Sequence, residues 1–329
     1  MDYNEFVEYV QNNILDFMPE RYLNAEVKVI PVTKNNNQVL KGLTIHLPED
    51  NITPTLYLEK PYSDYKNGNS MKTVMTYIAE NYLDAEREKS NAVSFDTNDL
   101  LDYEMMKPRI IPRVINPMTN IEKLSKVPFV MFNDLAVTFY CEVTRNSESY
   151  GAFCITNELL REYGVTADEL YNVALENLKT KSSPIVRSMF EIMAEDFGMP
   201  VPPEPSMDDI MYVISNEDKN NGSCQILNSD VMSKAAQKLG GDFYIIPSSI
   251  HELIAVPKGK MPISEMESMI RDVNENQVAP EERLSNTLYA FDAIKKEVIL
   301  ATELELRREK SVYYEADIDI DIDDDGPDL

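Results

Sequence analysis

Strand-like runs in this chain arrive in pairs ahead of a helix, and that order restricts the fold more than any other feature. Val27, Val29 and Val32 alternate with other residues, Asn35-Asn36-Asn37 reads as a turn, and Leu43, Ile45 and Leu47 alternate again. Period two on both sides of a turn is a β-hairpin. A third run, Leu56-Tyr57-Leu58, leads through Pro61 and Asn67-Gly68 into Met71, Val74, Met75, Ile78, Ala79 and Tyr82, an apolar stripe at helical spacing. Before the hairpin, Tyr3, Phe6, Val7, Val10, Ile14 and Phe17 mark a first helix that Pro19 ends. Strands joined by tight turns pair antiparallel, whereas a doubly wound parallel sheet needs a crossover between strands. The expected fold class is therefore α+β: mixed, mainly antiparallel sheets with helices packed on them.

From Asp84 to Pro128 the chain is charged and proline-punctuated, which predicts a helical connector broken at Pro108, Pro112 and Pro117. Leu135 to Val143 is nearly continuously apolar and rich in β-formers, as a strand covered on both faces should be. Gly151-Ala152-Phe153-Cys154-Ile155-Thr156-Asn157 then corresponds to Gly222-Ser223-Cys224-Gln225-Ile226-Leu227-Asn228. This predicts an internal β-β-α near-repeat with the isoleucine in a second strand and the asparagine capping a helix. Thr166-Ala167-Asp168-Glu169 and Ser264-Glu265-Met266-Glu267 read as capping boxes, and Gly164 and Gly240 as helix stops. Strands are expected at 242–246 and 250–256 around Pro247-Ser248-Ser249, with a last hairpin from Leu288 to Phe291 and Val298 to Leu300. The expected division is an N-terminal unit with its connector at 1–126, a C-terminal region at 127–306 split by the proline-rich linker near 198–206, and an acidic disordered tail at 307–329.

With 31 basic against 57 acidic residues the formal charge is −26. Such a chain repels a polyphosphate, so direct nucleic-acid binding and an anionic membrane surface are not expected. Met1-Asp2-Tyr3-Asn4-Glu5 opens an amphipathic segment without a basic n-region or an apolar h-region, so a cytoplasmic location is expected. The three cysteines, Cys141, Cys154 and Cys224, have no CxxC spacing and suggest small buried hydrophobes. Two histidines, His46 and His251, exclude a multi-histidine metal centre within one chain. Asp321, Asp323, Asp325 and Gly326 match the start of a calcium loop, but its twelfth position would lie beyond Leu329. No metal and no cofactor is expected.

The densest polar segments are Ser248-Ser249-Ile250-His251-Glu252 and, downstream, Asn274, Asn276, Gln277, Glu281 and Glu282. Ser248, Ser249, His251, Glu252, Asn274, Asn276, Gln277 and Glu281 are the candidate binding residues. Ser249 and His251 are the candidate catalytic pair, because a serine beside a histidine is the minimum for an activated nucleophile. The bland account is a turn after Pro247 and a hydrogen-bonded strand histidine, and no G-x-S-x-G elbow accompanies the pair.

Several longer motifs carry a resemblance: Lys41-Gly42-Leu43-Thr44-Ile45, the segment from Asn51 to Leu58, Asn133-Asp134-Leu135-Ala136-Val137, Ile155-Thr156-Asn157, the segment from Gly241 to Glu252, and Asn276 to Glu282. In this order the chain resembles the uncharacterised bacterial family known as domain of unknown function 5688. The resemblance covers roughly residues 1–300 and implies no reaction, cofactor or catalytic residue. The function expected from the residues is a noncatalytic cytoplasmic module that binds or regulates another protein through an acidic surface. The alternatives are a hydrolase using the Ser249 and His251 region, and a nucleic-acid mimic seated in a partner's basic cleft.

Overall fold

A computed structural model describes residues 1–48, 53–90, 99–145, 150–199, 210–259 and 261–309. The expected linker from Pro200 lies outside the described residues, as does the expected 307–329 tail from residue 310 on, while residues 307–309 are helical.

The first helix, α1 (Tyr3–Asn13), opens on a capping box in which Asp2 accepts from the Glu5 N–H and Glu5 returns to the Asp2 N–H. It packs against a three-stranded antiparallel sheet of β1 (Glu26–Thr33), β2 (Val39–His46) and β3 (Leu56–Tyr57). The expected hairpin is in register, with Val29 opposite Leu43 and Val27 opposite Ile45. Next come α2 (Glu59–Lys66) and α3 (Met71–Ser90). The helical stripe read from Met71 to Tyr82 closes a core with Phe6, Val10, Ile14, Leu43 and Ile45. Inside it the Tyr82 hydroxyl accepts from the Ile45 N–H and donates to the Ile45 carbonyl, both at 2.8 Å. That pairing satisfies backbone groups that burial would otherwise leave costly.

The connector corrects the sequence reading. It holds the short helix α4 (Tyr103–Met106) and a 3-10 turn, and then becomes a strand, β4 (Ile110–Ile115). The β-branched residues Ile110, Ile111, Val114 and Ile115 outweigh Pro112, which an edge strand tolerates because its missing N–H can face away from the ladder. β4 pairs with β6 (Leu135–Arg145), which also pairs with β5 (Phe129–Phe132) and β7 (Tyr150–Cys154). The near-continuous apolar run is thus a central strand. Short α5 (Ile121–Leu124) precedes this sheet's hairpin, and α6 (Asn157–Tyr163) and α7 (Ala167–Lys181) follow it. The Thr166 and Glu169 capping box is present, and Gly164 ends α6 at φ 66°.

A six-stranded sheet completes the fold. It contains β8 (Pro184–Ser188), followed by α8 (Met189–Phe197), then β9 (Tyr212–Asn216), α9 (Ser229–Leu239), β10 (Phe243–Ile246), β11 (Leu253–Pro257), α10 (Ile263–Asn276), β12 (Tyr289–Asp292) and β13 (Glu297–Leu300). The spatial order is β13-β12-β10-β11-β9-β8, every pair antiparallel. A last helix, α11, spans 301–309. One apolar core joins this sheet to the preceding one, running from Val137 and Phe139 through Leu170 and Ile226 to Ile214, Phe243 and Phe291.

An internal repeat is not shown. Gly151–Cys154 lies in β7, but Gly222–Leu227 is a buried 3-10 turn. Asn228 caps α9 as expected, whereas α6 is capped by Thr156 and Asn157 is already helical. Similar turn and cap chemistry selected similar residues for two different backbones. At α10 the N-cap is Pro262, with no side-chain cap bond, so Ser264 falls inside the helix.

Candidate functional site

The segment 248–252 joins β10 to β11 and is bound on both sides. Gly222 begins the 3-10 turn where no side chain fits: a Cβ there would sit 2.2 Å from Ser215 Oγ, 2.4 Å from the His251 carbonyl oxygen and 2.9 Å from the Asn216 nitrogen. Close backbone approach lets Ser215 Oγ donate to the His251 carbonyl at 2.7 Å and Ser223 Oγ donate to the Ile250 carbonyl at 2.6 Å. From the other side the Ile250 N–H donates to the Glu282 carbonyl at 2.8 Å. His251 is half-buried and takes the Asn221 N–H on Nδ1 at 3.2 Å, with Nε2 3.7 Å from Glu282 Oε1. An accepting Nδ1 places the neutral ring's proton on Nε2, toward the carboxylate.

The bonds of the candidate pair run to backbone groups. Ser249 Oγ accepts from the His251 backbone N–H at 3.0 Å, and the His251 acceptor nitrogen is occupied by Asn221. An activated serine needs its hydroxyl on the imidazole acceptor. Both residues instead fasten the turn. Ser248 Oγ reaches Glu252 Oε1 at 3.4 Å, a contact within the same turn.

The downstream residues divide. Asn274 is buried at the end of α10 and donates to the Ser285 carbonyl at 3.0 Å and to Asn286 Oδ1 at 2.7 Å. Asn276 is exposed and donates to the Asp272 carbonyl one turn back, and the Gln277 N–H closes the same helix on Val273. Glu281 contributes its carbonyl, which accepts from Asn35 Nδ2 at 3.0 Å. Segments 248–252 and 274–282 therefore touch at Ile250, His251 and Glu282, while Asn274 faces a different opening.

That opening is a cleft of about 270 Å³ lined by Asn36, Gln38, Asn116, Thr119, Asn274, Glu275, Pro280, Arg283, Leu284, Ser285 and Asn286. It lies where the β1–β2 turn meets two distant segments. Asn36 holds the left-handed conformation at φ 58°, which asparagine adopts more easily than most residues. Its Nδ2 donates to the carbonyls of Pro280 and Arg283, each at 2.8 Å. Its Oδ1 accepts from Thr119 Oγ1 at 2.7 Å and Asn120 Nδ2 at 3.0 Å. Its N–H donates to Asn120 Oδ1 at 2.9 Å, and Asn120 is fully buried. Sequence reasoning read Asn35 to Asn37 only as a turn, because nothing local marks a turn residue as a long-range tie.

Two further clusters were missed. Asp134, in the β5–β6 turn, accepts from Ser285 Oγ at 3.1 Å, Thr287 Oγ1 at 2.8 Å and the Tyr289 hydroxyl at 2.5 Å. Burial, then the neighbouring carboxylate, pushes the Tyr289 phenol far above its ordinary range. On the first C-terminal sheet, Lys123 Nζ donates to the Tyr140 hydroxyl at 2.8 Å, the Arg113 guanidinium lies 3.8 Å from the Tyr140 ring centroid, and Cys154 is opposite Tyr140 in the ladder. Burial lowers the Lys123 pKa and raises those of Tyr140 and Cys154, so each is biased to its neutral form. A raised thiol is a poor nucleophile at neutral pH.

Among the described residues no group of three or more His, Cys, Asp or Glu side chains could hold a metal ion. None of their helices is long and apolar enough to cross a membrane. The sequence profile of a family described as Family of unknown function (DUF5688) matches residues 3–293. The chain belongs to that family. No curated protein and no solved structure matches it. The matched range contains every segment on which the resemblance rests, including Asn133-Asp134 and Asn276 to Glu282, where Asp134 belongs to the hydroxyl cluster and Pro280 to the rim of the asparagine cleft.

Proposed function

We propose that this DUF5688 protein is a noncatalytic binding module that contacts another protein through its acidic surface, with the asparagine-rich cleft as the point of polar recognition. The observation that carries the reading is the use of Ser249 and His251: the hydroxyl and the acceptor nitrogen that hydrolysis would need are both bonded to backbone N–H groups. The separate cleft at Asn36 and Asn274 is polar, and its rim residues Gln38, Asn116, Arg283 and Asn286 can bond to a partner's main chain. A net charge of −26 favours a basic partner and makes the encounter salt-dependent. A cytoplasmic setting belongs to this proposal.

The test is capture of interacting proteins from a lysate of the source cell at low and high salt, with the wild type and a Gln38→Arg, Asn286→Arg variant as baits. A partner held by the wild type at low salt, and released by salt and by the variant, supports the reading. Retention of nothing by either bait, together with ester or amide hydrolysis that Ser249→Ala and His251→Ala abolish, would replace it with the hydrolase alternative.

A further inference from the structure

Most polar groups of the asparagine cleft are spent on holding the fold, as at Asn36, and the few that are not define what can enter. Asn274 is the most informative of these. It is 3% exposed, and its Nδ2 gives one hydrogen to the Ser285 carbonyl and the other to Asn286 Oδ1. A main-chain carbonyl can only accept, which fixes the orientation of the amide and turns Oδ1 away from both partners. That oxygen accepts from no group among the described residues, and it is not sealed from the cleft that Asn274 lines. An acceptor held so deep calls for an N–H or O–H from whatever occupies the cleft.

The other open groups on the walls are mainly donors. Asn116 Oδ1 accepts from the Met118 N–H and Asn286 Oδ1 accepts from Asn274, and in each residue Nδ2 donates to nothing among the described residues. Arg283 spends Nε on the Val278 carbonyl at 3.1 Å and Nη2 on the Glu275 carbonyl at 3.2 Å. Those bonds hold the guanidinium in place and leave Nη1 uncommitted. Glu275 itself is exposed where it lines the cleft. Donors, one of them a cation, around a buried acceptor suit a carboxylate with an N–H close to it. The end of a polypeptide carries N–H, Cα and carboxylate in one compact group.

We propose that the cleft takes the carboxyl terminus of the partner polypeptide. The terminal carboxylate meets Arg283, Asn116 and Asn286, the last peptide N–H donates to Asn274 Oδ1, and a basic residue next to the end lies beside Glu275. This inference rests on the reading of the cleft as the point of polar recognition and names what is recognised there. Size agrees with it. The cleft of about 270 Å³ is smaller than the roughly 300–1,000 Å³ of a drug-sized site, which gives room for a chain end rather than for a segment running through. Charge agrees as well, because a chain of net charge −26 repels a lone anion, and a lysine or arginine before the carboxylate offsets that repulsion.

The test is titration of the full-length protein with acetyl-Lys-Ala and with acetyl-Lys-Ala-amide, followed by NMR at the side-chain amide of Asn274. The acid is expected to bind at least tenfold more tightly than the amide. Asn116→Asp and Asn286→Asp keep the acceptors used by the Met118 N–H and by Asn274 but replace an open donor with a negative charge. Each should abolish binding of the acid, with thermal unfolding temperatures unchanged. Equal binding of acid and amide would overturn the assignment. So would acetyl-Asp-amide binding as tightly as acetyl-Lys-Ala, by giving the site to a side-chain carboxylate. Binding of none of the peptides would also overturn it, while a lysate partner released by Gln38→Arg, Asn286→Arg would keep the reading above. Acid-selective binding by a protein that captures no partner would support the chain-end site and remove that reading.

Discussion

Two glycines measure how differently the two parts of the molecule are held. In the N-terminal sheet, a Cβ on Gly42 would lie 2.5 Å from Thr55 Cγ2 and 3.0 Å from Val32 Cγ2, both side-chain methyls. In the 3-10 turn beside the six-stranded sheet, a Cβ on Gly222 would meet the His251 carbonyl oxygen at 2.4 Å and the Asn216 nitrogen at 2.9 Å. Methyls can turn aside, but a carbonyl held by Ser215 and the backbone of β9 cannot. The first sheet is closed by apolar contact around Phe6, Leu43 and Ile78, whereas the second part adds buried polar ties at Ser215, Ser223, Asn228 and Asn274. Apolar cores accept repacking, and polar ties do not.

The largest expected effect follows directly. Gly222→Ala should destabilise the C-terminal sheets by ~4 kcal/mol or more, since main chain must move at two places. Gly42→Ala should cost ~1–2 kcal/mol. Urea unfolding followed by tyrosine fluorescence reads both. Equal costs would erase the distinction.

Asn36 is where the two parts meet, so it tests whether they unfold together. Asn36→Ala removes four side-chain hydrogen bonds and puts a Cβ-bearing residue without a polar side chain at φ 58°, an expected loss of ~3 kcal/mol. Asn36→Gly keeps the backbone conformation and isolates the side-chain share, ~2 kcal/mol. The expected signature is a split of one unfolding transition into two. A single transition at lower denaturant would mean that contacts other than the turn couple the cores.

Alkaline pH separates the parts in another way, because Cys141 and Cys154 lie in strands of the C-terminal part and Cys224 in its buried 3-10 turn. Burial pushes the Cys224 thiol from its ordinary 9 up to about 11 and that of Cys141 up to about 12. The folded state therefore keeps a proton that the unfolded state gives up. Stability is full below pH 9 and falls as pH rises toward 11, by ~2–3 kcal/mol for Cys224. Cys224→Ala lowers stability at neutral pH through the cavity it leaves, yet should flatten the loss between pH 9 and 11. An unchanged slope would refute the assignment.

Periodicity made the hairpins of β1–β2 and β12–β13, the helix stripe from Met71 and the cap at Thr166 legible in the sequence, because each is decided by residues within one turn or one strand of each other. β4 was not legible, because Pro112 is read locally as a break and only the partner strand β6 shows it to be an edge position. The near-repeat misled for the opposite reason: local chemistry agrees at Gly151 and Gly222, and the tertiary approach of Ser215 and His251 to Gly222 decides the backbone. Of the candidate site, Ser249 and His251 were found as residues but not as bonds. Asn36 and Asp134 act through partners 83 to 247 residues away, a separation that no spacing rule reaches.

The smallest effect sharpens the comparison by running against its simplest form. Tyr289→Phe removes a hydroxyl from the Asp134 cluster, yet Asp134 is half-exposed and keeps Ser285 and Thr287 as donors, so the expected cost is ~1 kcal/mol. Tyr82→Phe removes a hydroxyl from the apolar N-terminal core and strands both the N–H and the carbonyl of Ile45, which is 1% exposed, at an expected ~2 kcal/mol. A tie is worth what its loss leaves unpaired, and a region poor in ties has fewer ways to compensate. If Tyr289→Phe proved the costlier of the two, the hydroxyl cluster at Asp134 would be a cooperative unit, and a double-mutant cycle of Tyr289→Phe with Thr287→Val would measure its coupling.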